Sequence, residues 1–301
     1  MKDLKNAEIK IYCSKDWKDY EVLDTGEGEK LERVGKYTFV RPFEDAVWAK
    51  SLAKKDWAEV DGKFFTSKKG EKSGWKLNRK LEAKWIIEYK DIRFSVMPTA
   101  FRHYGFFSEQ ASHWDFIETS IKNANINSRK IKFLNLFGYT GVASLFALRA
   151  GAEVTHLDAS KTSLAWAKEN QELSSLGELP MRIICDDALK FLEREAKRGN
   201  KYDAIIMDPP KFGRGPKGEI WKIEEMLPKL LENARKVLSE KPLFVILTSY
   251  AIESSSLSLR YALEEAMKNF SGETENGELC VLEKSNGRII SLANTAVWKS
   301  F

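Results

Sequence analysis

The sequence predicts an α/β protein. It has a doubly wound, mostly parallel sheet finished by a C-terminal antiparallel hairpin, preceded by a small, mostly β domain. Three observations predict this. Beyond Met97-Pro98, short apolar runs alternate with helical stretches in the order expected of successive βα units. Before that point, short runs at 9–12, 37–40 and 85–89 are broken by turn residues, among them Thr25-Gly26-Glu27-Gly28 and Lys69-Gly70. The length, 301 residues, suits about two domains at roughly 150 residues each. The expected division is 1–96 and 97–301.

In the N-terminal domain a single helical piece is expected near 43–55, and the glycines at 26 and 28 are read as a turn because no strand-then-helix frame surrounds them. In the C-terminal domain the first unit is a strand over 132–137 and a helix over 141–150, stopped at Gly151. A strand over 153–157 follows, and Ser160 is a suitable N-cap for a helix to about 173. Next come a strand at 181–184 with a helix ending near Gly199, and a strand at 202–207 with a helix from about 223 to 238. The fifth unit is a strand at 243–248 with a helix over about 257–270. Strands at 278–283 and 288–292, joined by Ser285-Asn286-Gly287, form the closing hairpin. Five βα units imply helices on both faces of the sheet.

Composition narrows the function classes. With 43% hydrophobic and 31% charged residues, the chain has the means to bury a core. No run approaches the roughly 18 apolar residues of a membrane span, and the N-terminus lacks a secretory signal, so a cytoplasmic location is expected. Cys13, Cys185 and Cys280 are few and far apart, which argues against a disulfide framework or a Cys-rich zinc site, and all three are expected to be buried structural thiols. His103, His113 and His156 form no metal spacing, so no metal is expected. His156 is expected in the core, with His103 and His113 nearer the predicted ligand site.

The net charge is only +5, but it is unevenly spread. Between positions 63 and 84 lie Lys63, Lys68, Lys69, Lys72, Lys76, Arg79, Lys80 and Lys84 against Glu71 and Glu82, with Phe64, Phe65, Trp75 and Trp85 in or beside the stretch. Two readings stand. Lys68, Lys69 and Arg79 hold nucleic-acid phosphates while the rings stack on bases, or the segment is a solvated surface whose aromatics face the domain core.

Ligands of open parallel sheets lie beyond the carboxyl ends of the strands, and the informative residues fall there. After the first strand comes Asn135-Leu136-Phe137-Gly138-Tyr139-Thr140-Gly141, with Gly141 opening a helix; the G-x-G-x-x-G dinucleotide fingerprint is absent. Asp158 ends the second strand, where an acid accepts from ribose hydroxyls. Asp186 and Asp187 end the third, where either suits an adenine amine, and Asp208-Pro209-Pro210-Lys211-Phe212 follows the fourth. Each has a plainer structural role available, as turn, helix cap or strand stop. Their order at four successive strand ends favours a site.

At these residues the chain resembles the class I S-adenosylmethionine (SAM)-dependent methyltransferases, with their Rossmann-like fold, and within them the large-subunit ribosomal RNA methyltransferase I type. The resemblance lies in FLNLFGYTGVAS (133–144), HLDAS (156–160), CDDALKFL (185–192), DAIIMDPPKFGRG (203–215) and FRHYGFFSEQASHWDF (101–116), and covers about 97–301. It implies that Phe137, Tyr139, Thr140 and Gly141, with Asn135, shape the methionine end of a SAM site, and that Glu109 and Gln110 sit near it. It further implies Asp158 on the ribose, Asp187 (beside Asp186) on the adenine amine, and Ala159 and Ala188 beside the ring. Asp208, Pro209, Pro210 and Lys211 are the implied catalytic group, with Asp208 also counted among the cofactor contacts.

The pattern departs in two places. A cysteine motif follows the fifth strand in relatives that make 5-methylcytosine, whereas Leu247-Thr248-Ser249-Tyr250 stands here, which argues against a cysteine nucleophile. Lys211 occupies the aromatic position of the motif used by exocyclic-amine methyltransferases, with Phe212 one residue later. The segment 211–222 carries Lys211, Arg214, Lys217 and Lys222, and is expected to be a mobile loop, with Phe212, Arg214 and Lys217 as substrate contacts. The leading expectation is methylation of RNA, with ribosomal RNA or a ribosomal subunit as the acceptor. The alternatives are a small-molecule or protein acceptor, or a non-catalytic RNA-binding assembly factor.

Overall fold

The computed structural model describes residues 8–66, 73–126, 130–250 and 255–301. They form two compact units that are discontinuous in sequence, whereas the sequence suggests one boundary near residue 97. One unit comprises 13–111 with 280–291; the other comprises 1–12, 112–279 and 292–301. Strand β1 (Ile9–Cys13), expected in the small domain, instead pairs at the edge of the large sheet.

The β-rich unit contains β2 (Tyr20–Gly26), β3 (Glu29–Val34), β4 (Tyr37–Pro42), α1 (Lys54–Ala58), β5 (Gly62–Phe65), β6 (Gly74–Leu77), β7 (Trp85–Tyr89) and β8 (Ile92–Val96). Among the described residues, β2 to β6 make a five-stranded sheet in sequence order, and β7 pairs with β8. The turn joining β2 to β3 has left-handed Glu27 and Gly28, as its sequence suggests. The helix expected near 43–55 is confined to α1. Upstream, Asp24 accepts from the backbone N–H groups of Ser51 and Leu52 and from the Trp57 indole, so a side chain satisfies donors that a helix would otherwise use.

Glu32 is fully buried in this unit. It accepts from the Tyr20 and Tyr104 hydroxyls at 2.9 and 3.0 Å and from Arg41 at 2.9 Å, with Lys30 at 3.5 Å. Burial alone would raise its pKa, but Arg41 first and then Lys30 hold it down at about 2.

The large unit follows the alternating pattern. Its further elements are α2 (Ala111–Ile126), β9 (Lys132–Leu136), α3 (Val142–Arg149), β10 (Glu153–Asp158), α4 (Lys161–Leu173), β11 (Met181–Cys185), α5 (Ala188–Lys197) and β12 (Ala204–Met207). Then come β13 (Phe212–Arg214), β14 (Ile220–Lys222), α6 (Ile223–Lys236), β15 (Phe244–Ser249), α7 (Ser256–Met267), β16 (Gly272–Leu282) and β17 (Ile289–Ser300). Ser160 caps α4, its side chain accepting from the Ser163 N–H.

Among the described residues the main sheet has eight strands in the order β1-β16-β17-β15-β12-β9-β10-β11. The five βα strands are parallel and β17 runs antiparallel to β15, as the sequence predicts. β16 and β17 extend well beyond the expected hairpin. Their added length carries buried polar residues, Thr274, Asn276 and Thr295, which break the hydrophobic alternation that marks a strand. Leu134, Leu136, Met207 and Leu247 pack with residues of α5, α6 and α7 on one face. On the other, Phe116 of α2 meets Phe244 with ring centroids 5.2 Å apart, and Asn135 bonds Ser144 of α3. Strand order reverses at β9, which has β10 on one side and β12 on the other. That places a crevice beyond the ends of β9 and β12.

Candidate active site

The segment leaving β9 is tightly turned. Phe137, Tyr139 and Gly141 have φ of +60°, +51° and +87°, and left-handed backbone at two non-glycine residues so close together is costly. Four hydrogen bonds over-determine it. The Gly138 N–H donates to Leu157 O at 2.9 Å and the Tyr139 N–H to Asp158 Oδ2 at 2.9 Å. The Gly141 N–H donates to Gly138 O at 3.0 Å, and Asn170 Nδ2 donates to Thr140 O at 2.9 Å. A Cβ at Gly138 would lie 2.3 Å from His156 Cε1, and one at Gly141 would lie 2.8 Å from Ala167 Cβ. With glycine as its N-cap, α3 has no capping side chain, and its first N–H groups are of the kind that receive a ligand's acceptor atoms.

Beneath the turn runs a buried polar chain. Asn135 Nδ2 donates to Ser144 Oγ at 3.0 Å, and that oxygen lies 2.9 Å from His156 Nδ1. Burial pushes His156 down to about 4, so its imidazole is neutral at physiological pH.

The ends of β10 and β11 are tied together. Asp158 is half-buried, accepts from the Ser160 N–H at 2.8 Å as well as from Tyr139, and has its pKa raised by burial against those backbone donors. The Asp186 N–H donates to Asp158 O at 3.2 Å, and Asp186 is ion-paired with Arg194. Asp187 caps α5 by accepting from the Lys190 N–H at 3.0 Å. Burial, then the Asp158 charge, pushes the Tyr139 hydroxyl up to about 12.

Beyond β12, Asp208 is half-buried, Pro209 buried, and Pro210, Lys211 and Phe212 exposed. The stretch expected to be a mobile loop is instead a two-stranded antiparallel ribbon, β13 with β14. Trp221 explains why. Its buried indole donates to Pro210 O at 2.6 Å and packs on the Phe137 ring with centroids 5.0 Å apart, fixing the ribbon to the turns after both β9 and β12.

Comparison with known proteins agrees with this geometry. A family model described as conserved hypothetical protein 95 matches residues 117–258. The ribosomal RNA large subunit methyltransferase K of Neisseria meningitidis serogroup B is 32% identical over 142 residues, 46% of this chain and 40% of that protein. The ribosomal RNA large subunit methyltransferase I of Aeromonas salmonicida is 42% identical over 82 residues, 27% of this chain and 21% of that protein. The chain thus spans less than half the length of these curated relatives. The crystal structure of a SAM-dependent methyltransferase from Agrobacterium tumefaciens is 40% identical, covers 97% of this chain and 94% of its own, and superposes with a TM-score of 0.91. The chain belongs to the SAM-dependent methyltransferases.

In this methyltransferase the ends of adjacent parallel strands bring Phe137, Tyr139, Thr140, Gly141, Asp158, Ala159, Asp186, Asp187, Asp208, Pro209, Pro210 and Lys211 to one end of the large sheet. Asn135 points away from that end, into the chain beneath the turn, and Ala188 is buried at the start of α5. Gln110 is buried in a 3-10 turn, Ser108–Gln110, of the β-rich unit. Phe212 and Arg214 lie on the ribbon and Lys217 at its tip. Lys68 and Lys69 fall outside the described residues. Arg79 pairs with Asp61, and its guanidinium lies 5.1 Å over the Tyr37 ring. Phe64 and Trp85 are buried and the Trp75 indole donates to Thr99 O, so these rings serve their own unit's core, while Phe65 is exposed.

Of the cysteines, only Cys280 is buried. Cys13 is half-buried and Cys185, at the end of the edge strand β11, is exposed. His156 is in the core as expected. His113 is also buried, 2.9 Å from Thr295 Oγ1, and is pushed by burial to about 3. Sequence reasoning missed Trp221 and the His156–Ser144 support. Strands of three residues are too short to show a period, so no local pattern marks the first.

Proposed function

We propose that this methyltransferase transfers the methyl group of SAM to RNA in the cytoplasm, with ribosomal RNA or a ribosomal subunit as the acceptor. The observation that carries the reading is the adjacency of two features at the sheet's switch point. The strained Phe137–Gly141 turn stands after β9, and Asp208-Pro209-Pro210 stands after its neighbour β12. The relatives named as ribosomal RNA large subunit methyltransferases support the acceptor class.

In this reading the turn and the N-terminus of α3 hold the methionine end of SAM. Asp158 holds the ribose, Asp187 with Asp186 the adenine amine, and Ala159 and Ala188 lie beside the ring. Bound SAM supplies a methyl group already activated on a sulfonium, so the protein's work is positioning and desolvation. Asp208 would face the attacking atom and accept its hydrogen bond or proton as that atom's lone pair bonds the methyl carbon and the carbon–sulfur bond breaks, its electron pair remaining on sulfur to leave S-adenosylhomocysteine. Pro209 and Pro210 have fixed φ and no N–H, which holds the acceptor segment rigid, and the Trp221 indole ties down the Pro210 carbonyl. Lys211 meets a phosphate.

No thiol takes part in this scheme. Cys185→Ser is expected to keep full transfer activity, measured as initial rate; loss of turnover would contradict a thiol-independent reaction. The acceptor class is tested by transfer of radiolabelled methyl from SAM into RNA and ribosomal subunits from cells lacking this gene. Label in one RNA species is the expected result. Label only in protein or in small molecules would contradict an RNA acceptor.

A further inference from the structure

The ribbon has two unlike faces. Gly213 and Trp221 are paired across the strands and turn inward, with Trp221 buried against Pro210 and Phe137. The pairs Phe212 with Lys222 and Arg214 with Ile220 share the other face, and all four side chains are exposed; Phe212 and Ile220 are each 56% accessible. Two large apolar side chains framed by two cations therefore stand in solvent directly after Asp208-Pro209-Pro210.

The charge of the segment is one-sided. Lys211 and Lys217 are also exposed. Glu219, the acid of the stretch, is engaged by Lys190 at 2.6 Å and by the Lys217 N–H at 2.9 Å. Lys222 pairs with Glu225 at 2.8 Å, but both side chains are more than half exposed, and a solvent-screened pair of that kind yields readily to a phosphate.

We propose that this outward face binds a single-stranded RNA segment flanking the methylated nucleotide, with a base stacked on Phe212 against Ile220 and phosphates on Arg214 and Lys222. The proposal rests on the RNA reading above and adds the surface and the strandedness. An aromatic ring near an aliphatic side chain gives a stacking platform only to an unstacked base. A duplex offers phosphates but no free base face. Because Trp221 binds the carbonyl of Pro210, the platform is fixed to the acceptor segment, so what it grips is placed against the reacting position.

The test uses the full chain saturated with S-adenosylhomocysteine and a short fluorescein-labelled oligoribonucleotide, alone or annealed to its complement, followed by anisotropy across a salt series. The single strand is expected to bind more tightly than the duplex. Phe212→Ala is expected to weaken it about fivefold or more, the loss of one stacked base, with Phe212→Trp restoring affinity. Arg214→Gln is expected to flatten the salt dependence of log affinity by about 0.7, one phosphate contact on a single strand. Unchanged S-adenosylhomocysteine affinity in each variant establishes that the fold is intact. If the wild type binds RNA and the ribbon variants bind equally well, or if duplex binds as well as single strand, the ribbon assignment is overturned while the RNA reading stands. If the wild type binds no RNA at low salt, or binds an acidic peptide in preference, both fall.

Discussion

Gly138 has no room for a methyl group, and what stands in the way is His156. The imidazole carbon 2.3 Å from a hypothetical Cβ belongs to a buried ring anchored by Ser144, so it has little freedom to retreat. Gly138→Ala is therefore expected to displace the Phe137–Gly141 turn. Overpacking of this kind costs about 1–3 kcal/mol of folding stability, read as a lower thermal midpoint, and the displaced turn is expected to weaken S-adenosylhomocysteine binding by calorimetry. His156→Ala removes the obstacle, so the double variant should bind more tightly than Gly138→Ala alone. If it binds no better, the contact with His156 is not what fixes the turn. Individual residues were unevenly legible in the sequence. Gly141 and Asp158 announce themselves by position at a strand end, whereas Asn135 shares that neighbourhood yet turns under the sheet toward Ser144, because strand alternation sends neighbouring side chains to opposite faces.

The ribbon of β13 and β14 depends on one indole. Trp221→Phe keeps most of the buried apolar area but forfeits the bond to Pro210 O, a loss of about 1 kcal/mol. Trp221→Ala also empties the space against Phe137, at about 3–5 kcal/mol for a buried tryptophan. We expect graded effects in that order: faster tryptic cleavage at Lys217, and slower methyl transfer with cofactor affinity less affected. Equal cleavage rates in wild type and Trp221→Ala would mean that the indole does not anchor the ribbon. The five βα units were legible because each is a local pattern, an apolar run followed by a capped helix such as that opened by Ser160. β1 was not placed, because its partner β16 is far away in sequence and nothing in five residues specifies so remote a strand. The ribbon was hidden by its three-residue strands, too short to show a period.

The protein carries three histidines, and burial holds all of them below the ordinary value of 6.5: His103 and His113 at about 3, His156 at about 4. For His103 the positive charge of Arg41 adds to the effect of burial. Between those values and 6.5 the unfolded chain binds protons that the folded chain does not, so stability rises with pH across that window. It is complete above about 6.5 and is lost progressively as pH falls toward 4. The thermal midpoint should drop between pH 7 and pH 5, and His113→Gln should flatten that drop; an unaltered slope would show that His113 is not held neutral in the folded state. The fold and the general place of the site were legible at the level of the whole chain, since four polar signals in order at four strand ends need a parallel sheet to bring them together. The two-unit division was not, because residues 280–291 join 13–111 through non-local packing. The most direct test of the account is Asp208→Asn, assayed in parallel for S-adenosylhomocysteine affinity and for methyl transfer to RNA. Affinity within a few-fold of wild type with transfer reduced roughly 100-fold or more is the predicted result; transfer at the wild-type rate would contradict the placement of the acceptor at Asp208.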